Sequence, residues 1–310
     1  MSTQESAIRV GVIGAGSFAS RRHCPDIIAH PKAQLTALCR RNDIELQKMA
    51  GAFAVEHTYT DHSQLLTSRL VDAVLVSSPH NLHYEHTKAA LENGLHVLLE
   101  KPLCLDSRDA RRLVELASSR NLRLLVAHNP PYWRHCRHLR EQFQGGRLGN
   151  LEAASLTAVG NFLGVLAREP LPDKIPGVVA PTLYRGDPLQ NGGGYLMDGG
   201  PHLLCELLWC TGRHVAEVSA QVDDAAFELR YVLTLRMDNG ALVTVSQVAN
   251  SNSRSKRQHN VYFGSKGTAT VRGFPFTVEY DVEGSTRGHT VARSDHPISQ
   301  KGLRLPLICS

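Results

Sequence analysis

Residues 8–20 read IRVGVIGAGSFAS. The apolar run Ile8 to Ile13 has strand length and feeds into Gly14-Ala15-Gly16-Ser17-Phe18-Ala19, the G-x-G-x-x-A spacing of a dinucleotide-binding turn between a strand and a helix. Gly14 permits the tight turn, Gly16 lets the backbone approach a pyrophosphate, and Ala19 is small enough for the helix to pack on the strand. The helix N-terminus then faces the phosphate charge, so Gly14, Gly16, Ser17, Phe18 and Ala19 form a candidate phosphate loop. Glycines also serve plain turns, and the motif takes its weight from its surroundings.

Those surroundings alternate. Apolar runs recur at Ile8 to Ile13, Leu35 to Cys39, Ala73 to Val76, His96 to Leu99 and Leu122 to Val126, with helix-like stretches between them. This pattern predicts a parallel sheet with crossover helices. One helix is read in HYEHTKAALENG, stopped by Asn93-Gly94. Another is capped by Asp106 and carries Ala110, Leu113, Val114 and Ala117 on one face. Pro130-Pro131 then breaks the chain. Beyond it, LRYVLTLRM and ALVTVSQVA alternate with period two around Asp238-Asn239-Gly240, which reads as an antiparallel hairpin with a type I′ turn. A second hairpin is expected around Gly264 to Gly267. The fold expected is α/β: an N-terminal Rossmann domain with a parallel sheet over 1–128, and an α+β domain on a largely antiparallel sheet over 129–282. From Asp281 the chain turns polar without helical periodicity, so 283–310 reads as a shortened or disordered tail.

Composition narrows the function classes. The 310 residues are 42% hydrophobic and 20% charged, with a formal net charge of +5, and the basic residues are dispersed among 29 acidic ones. No basic stripe points to nucleic acid or a membrane surface, and no apolar stretch has membrane-spanning length. The N-terminus lacks a signal-peptide pattern, and the seven cysteines are scattered without C-x-x-C pairs, so reduced thiols in the cytoplasm are expected. His135, Cys136 and His138 cluster, as do His202, Cys205 and Cys210. Neither spacing resembles a zinc finger or ribbon, and no metal is expected.

At the end of the second strand an NAD enzyme usually offers a carboxylate to the adenosine ribose, whereas arginine suits a 2′-phosphate. Here stand Arg40 and Arg41, which predicts NADP over NAD unless the two form a solvated loop. SSPHNLHYEH, with Ser78, Pro79 and His83, follows the third of these apolar runs, and LLEKPL, with Glu100 and Lys101, follows the fourth. Ligands collect at such carboxyl ends. Lys101 is placed to hydrogen-bond a substrate oxygen and stabilise charge as hydride moves; read alone, it is more often a surface lysine. In GGGYLMDGGPHLLCELLWCTG, Asp198 and His202 are four apart and share a helical face, so His202 can exchange a proton while Asp198 orients it. Pro201 suggests that the helix begins nearby, in which case Asp198 is a cap and His202 a packing residue. Tyr184 and Arg185 precede the glycine run and are candidates for binding substrate, for instance a carboxylate or phosphate.

Taken together, GAGSFA, SSPHNLHYEHTKAALENGLHVLLEKPL, GRLGNLEAA and the GGG-x-L-x-D-x-G-x-H segment resemble the glucose-fructose oxidoreductase and inositol dehydrogenase (Gfo/Idh/MocA) family. The resemblance implies a Rossmann domain, a second domain on a largely antiparallel sheet, and NAD or NADP. It implies that Lys101, Asp198 and His202 hold the catalytic positions, that Pro102 follows a cis peptide, and that Pro79 and His83 line the nicotinamide side. The implied chemistry is reversible oxidation of a secondary alcohol on a sugar, cyclitol or related polyol. A free sheet face adds the expectation of a homo-oligomer, dimer or tetramer. Arg40 and the polar C-terminus depart from the family pattern. Two rivals keep the dinucleotide: a glycoside hydrolase working by transient oxidation, which turns over no net nicotinamide, and a non-catalytic sensor, which has no need of Lys101 and His202.

Overall fold

The computed structural model describes residues 6–167, 178–180, 182–252, 256–273 and 275–282; the expected tail 283–310 lies outside them. The chain divides into two compact units, Met1–Ala127 with Ala167–Gly192, and His128–Leu166 with Gly193–Ser310. Ala167–Gly192 thus groups with the first unit, although sequence reading assigned it to 129–282.

In the first unit, β1 (Ile8–Ile13), β2 (Ala33–Cys39), β3 (His57–Tyr59), β4 (Ala73–Val76), β5 (His96–Leu99) and β6 (Leu124–Val126) form a sheet in the order β3-β2-β1-β4-β5-β6. Its neighbours pair in parallel. The central strands β1 and β4 are mostly apolar because both of their faces are covered towards their carboxyl ends. Val12 and Leu75 pack with Leu38, Leu46 and Met49 on one side, whereas Ile13, Val74 and Val76 pack with Leu91 and Leu113 on the other. β1 pairs with both β2 and β4, so the strand order reverses at its carboxyl end. That reversal opens the crevice where open α/β sheets take their ligands.

The crossover helices follow their signals. His83–Glu92 is followed by Gly94 at φ +78°, and Ser107–Ser119 is capped by Asp106, whose carboxylate accepts from the Arg108 amide. Leu113 and Ala117 are buried, but Val114 is 55% exposed, which corrects its placement on the inner face. One residue is a 100° step, and this helix's apolar stripe is too narrow to include it. β3 has only three residues, too few for a period to show.

The second unit is built on β7 (Leu151–Val159), β8 (Val215–Val222), β9 (Arg230–Met237), β10 (Leu242–Val248), β11 (Arg257–Gly264), β12 (Gly267–Gly273) and β13 (Thr277–Val282). The order is β13-β12-β11-β7-β10-β9-β8, antiparallel throughout except for the parallel pair β7 and β10. The helices Arg134–Gln144 and Tyr195–Thr211 pack on one face, with Cys136, Leu139, Leu203 and Leu207 against Leu156, Val245, Tyr262 and Val271. On the other face Val232, Leu242 and Phe263 are exposed.

Both hairpins are present, the second with Gly264 opposite Gly267. The first does not use a type I′ turn. Only Gly240 has a positive φ, +86°, and the Gly240 amide donates to the Met237 carbonyl while the Met237 amide donates to the Ala241 carbonyl. This is a three-residue loop, a turn closed by a left-handed glycine, in which Asn239 keeps an ordinary φ. Asn239 is held elsewhere, its Nδ2 donating to the Leu151 carbonyl.

The Tyr195–Thr211 helix also begins earlier than Pro201 suggested, with Gly194 as N-cap and Pro201 inside. Packing overrides the local signal. A Cβ on Gly199 would lie 2.5 Å from the Tyr195 ring, and one on Gly200 3.1 Å from the Tyr231 hydroxyl. The two glycines are therefore demanded by contacts rather than by a helix start.

Candidate active site

The candidate phosphate loop leaves β1 as expected. Gly14 has φ +79°, and a Cβ there would lie 2.4 Å from the Ser78 amide nitrogen, so the loop must pass hard against the exit of β4. Gly16 differs. Its φ is ordinary, and an added Cβ would come no closer than 3.6 Å to any protein atom. Nothing in the chain itself requires glycine at 16, whereas a ligand laid against the backbone does. Beyond the loop the helix opens with a π-helical turn, Ala19–His23, in which Ala19 and Ser20 are buried.

Arg40 reaches back to this loop, its Nη1 donating to the Ala15 carbonyl at 2.9 Å, while Arg41 is exposed. Burial lowers the Arg40 pKa, with Glu45 pulling it the other way. Both arginines belong to the turn that leaves β2, the position the sequence assigned them.

At the exits of β4 and β5, Ser78 and Lys101 are each 4% exposed. The Lys101–Pro102 peptide is cis, as the resemblance implied. His83 clamps the two exits together, with Nδ1 2.7 Å from the Pro102 carbonyl and Nε2 3.0 Å from the Ser78 carbonyl. Burial lowers its pKa against the pull of both carbonyls. The ring is 0% exposed and each nitrogen faces a carbonyl oxygen, so His83 holds the two strand exits together. Pro79 leads into the short 3-10 turn His80–Leu82.

Glu100 lies within a group the sequence did not announce. Its Oε1 is 2.7 Å from His23 Nε2, and its Oε2 accepts from the Lys101 amide. Burial pushes the Glu100 carboxyl up, yet the His23 hydrogen bond and the fields of His23, Lys101 and Arg185 outweigh it and hold the pKa below the ordinary carboxylate value. Tyr184 meets His80, hydroxyl to Nε2 at 3.4 Å, and the Arg185 guanidinium lies over the Tyr184 ring. Arg21 has its pKa lowered by burial and then by Arg185. The first unit therefore brings Tyr184, Arg185, Glu100 and Lys101 into one neighbourhood and adds Arg21, His23 and His80. These three sit in helical turns, where no motif spacing marks them.

Asp198 and His202 belong to the second unit. They stand one turn apart on the Tyr195–Thr211 helix, Asp198 buried and His202 half-buried, with the His128 ring edge-on to His202. Glu206 continues the stripe by another turn. It is 1% exposed and accepts three hydrogen bonds, from Asn260 Nδ2 and the Tyr262 hydroxyl on Oε1 and from Gln258 Nε2 on Oε2. Burial raises its pKa against these donors. The His/Cys clusters of the sequence disperse: His138 bonds the Tyr280 hydroxyl, His135 stacks on Phe276, and Cys210 donates to the Cys136 carbonyl.

Residues 8–128 match the profile described as oxidoreductase family, NAD-binding Rossmann fold, and residues 136–270 match the GFO/IDH/MocA C-terminal domain. The chain belongs to the Gfo/Idh/MocA oxidoreductase family. A dTDP-3,4-didehydro-2,6-dideoxy-alpha-D-glucose 3-reductase of Saccharopolyspora spinosa is 34% identical over 195 residues, covering 62% of this chain and 53% of that protein. The match thus spans about half the length of that relative. The D-glucoside 3-dehydrogenase of Escherichia coli (strain K12) is 27% identical over 299 residues, covering 90% and 80%. Among solved structures, a chain described as a probable dehydrogenase from Thermotoga maritima gives a TM-score of 0.69 at 26% identity, covering 85% of this chain and 75% of that one. The Gfo/Idh/MocA assignment makes the first unit an NAD-binding Rossmann fold, into which the Gly14 to Ala19 loop fits. Among the described residues, no helix is long and apolar enough to cross a membrane.

Proposed function

We propose that this chain is an NAD(P)-dependent oxidoreductase acting on a secondary alcohol, or the matching ketone, of a sugar, cyclitol or related polyol. The observation that carries the reading is Lys101, buried at the exit of β5 in a unit whose glycine loop is open at Gly16. An ammonium at that strand exit is suited to hydrogen-bond a carbonyl oxygen that gains negative charge in the transition state. The family and the two sugar-acting relatives support the substrate class.

The bound nicotinamide supplies the hydride acceptor or donor. The chain's residues do the rest. Lys101 Nζ hydrogen-bonds the reacting oxygen, His202 takes or returns that oxygen's proton, and Asp198 orients the imidazole. Gly14, Gly16, Ser17, Phe18 and Ala19 hold the pyrophosphate, Ser78, Pro79 and Glu100 line the strand exits, and Tyr184 and Arg185 bind the substrate's polar groups. Arg40 and Arg41 hold a 2′-phosphate, so NADP is the preferred cofactor. The exposed sheet face carrying Val232, Leu242 and Phe263 supports self-association. Six described cysteines are free thiols, which suits the cytoplasm.

The test is binding of NADPH and NADH to the purified protein, followed by a panel of sugars and polyols read through nicotinamide absorbance. Expected are tight NADPH binding and substrate-dependent turnover that drops at least about 100-fold in Lys101→Met with binding retained. Full turnover in that variant overturns the role of Lys101, and absence of dinucleotide binding overturns the reading.

A further inference from the structure

We propose that His62, Glu85 and His86, in the first unit, form a binding site for a divalent transition-metal ion of the zinc type. One ring nitrogen from each histidine and a carboxylate oxygen of Glu85 lie within 4.8 Å of one another. The two imidazole rings are 4.4 Å apart between centroids. The ligands come from separate helices, His62–Thr67 and His83–Glu92, so an ion would tie together segments that the sequence separates.

The surroundings of each imidazole are those of a metal ligand. A histidine that binds a metal through one nitrogen normally gives the other to a polar group, which fixes tautomer and ring orientation. His86 Nδ1 is 2.9 Å from Ser78 Oγ, and His62 Nδ1 is 3.5 Å from Asp61 Oδ1. With Nδ1 hydrogen-bonded to Ser78, His86 keeps Nε2 for an ion. Two imidazoles and a carboxylate suit zinc, nickel or cobalt rather than calcium or magnesium.

Geometry and access agree. Tetrahedral zinc with bonds of about 2.0–2.2 Å requires ligand atoms about 3.3 Å apart. The atoms within 4.8 Å must draw together to reach that separation, and Glu85, exposed, is the side chain with room to move. The His62 side chain is 24% exposed, which gives an ion a way in and leaves the fourth position to water. Asp61 and Glu85 favour a cation, and Arg41 opposes it. A second trio, His135, Cys136 and Glu206, lacks these features: all three are at most 1% exposed, and Glu206 already accepts three hydrogen bonds.

The experiment is titration of tag-free, full-length protein with zinc chloride by calorimetry and with cobalt chloride by absorption, on wild type, His62→Gln and Glu85→Gln. One ion per chain is expected, with cobalt d–d bands and no thiolate charge-transfer band. Each variant should weaken binding by at least about 10-fold while keeping the wild-type circular dichroism. Both substitutions fall on accessible side chains, and should one fail to fold the other decides. No saturable uptake, a thiolate band, or unchanged affinity in a folded variant overturns the site.

Discussion

Two side chains of the first unit carry predictions by themselves. Arg40 is anchored on the Ala15 carbonyl, so its guanidinium is ordered beside the phosphate loop before any ligand arrives. Hydrogen bonds to charged groups contribute about 1.5–3 kcal/mol each, so Arg40→Asp should cut the proposed NADPH over NADH preference by at least about 10-fold in paired binding titrations. An unchanged ratio removes Arg40 from cofactor choice. Glu100 makes a statement about acid. Its pKa is held below the ordinary carboxylate value despite burial, so the folded state binds its proton less readily than the unfolded chain does. The stability this contributes is present above the ordinary carboxylate range and drains as pH falls through the depressed value. Thermal midpoints of wild type and Glu100→Gln should therefore separate at neutral pH and converge in acid. A gap that stays constant with pH contradicts the linkage.

The glycine loop and the buried carboxylate stripe test whole elements. Gly14 and Gly16 look alike in the motif, yet the structure separates them. Gly14→Ala places a Cβ at positive φ and against Ser78, and should cost more than about 1–3 kcal/mol in urea denaturation. Gly16→Ala has room, and should stay within about 0.5 kcal/mol of wild type while losing at least about tenfold in dinucleotide affinity. Equal stability losses in the two variants refute that division. On the Tyr195–Thr211 helix, Glu206→Leu fills the volume but leaves Gln258, Asn260 and Tyr262 with unmatched donors at about 1–3 kcal/mol each, so denaturation should show a loss above about 3 kcal/mol. The same elements show what a sequence reveals. β1 and β4 match their apolar runs because strands covered on both faces need no partner to be recognised. The start of the Tyr195–Thr211 helix was hidden because Gly199 and Gly200 answer to the rings of Tyr195 and Tyr231, and Pro201 lies inside the helix rather than at its start. Lys101 was legible through Glu100-Lys101-Pro102, whereas His23 and His80 were not, since only the folded helical turns bring them to Glu100 and Tyr184. Arg185 stood out as a charge beside a glycine run, but its effect on Glu100 depends on a segment grouped with the first unit.

For the whole molecule, the open face of the second sheet is the feature a partner would cover. Val232, Leu242 and Phe263 are exposed on strands of one sheet, an apolar surface suited to a second copy of itself. Sedimentation should show an oligomer at micromolar concentration, and Val232→Glu with Phe263→Asp should shift it toward monomer with unchanged circular dichroism. A wild-type monomer ends the idea. The strand order of that sheet also carries a timetable. β7 lies between β10 and β11, so its hydrogen bonds wait for partners that begin at residues 242 and 257. On a ribosome, β1 finds β2 and β4 within the first 76 residues, while β7 emerges with both edges bare and stays so for more than 80 residues of further synthesis. Pairings this distant in sequence are slow to form, and a bare apolar strand is where nascent chains stick to one another. The growing chain should accordingly call on a chaperone between β7 and β10, after the first sheet has already closed.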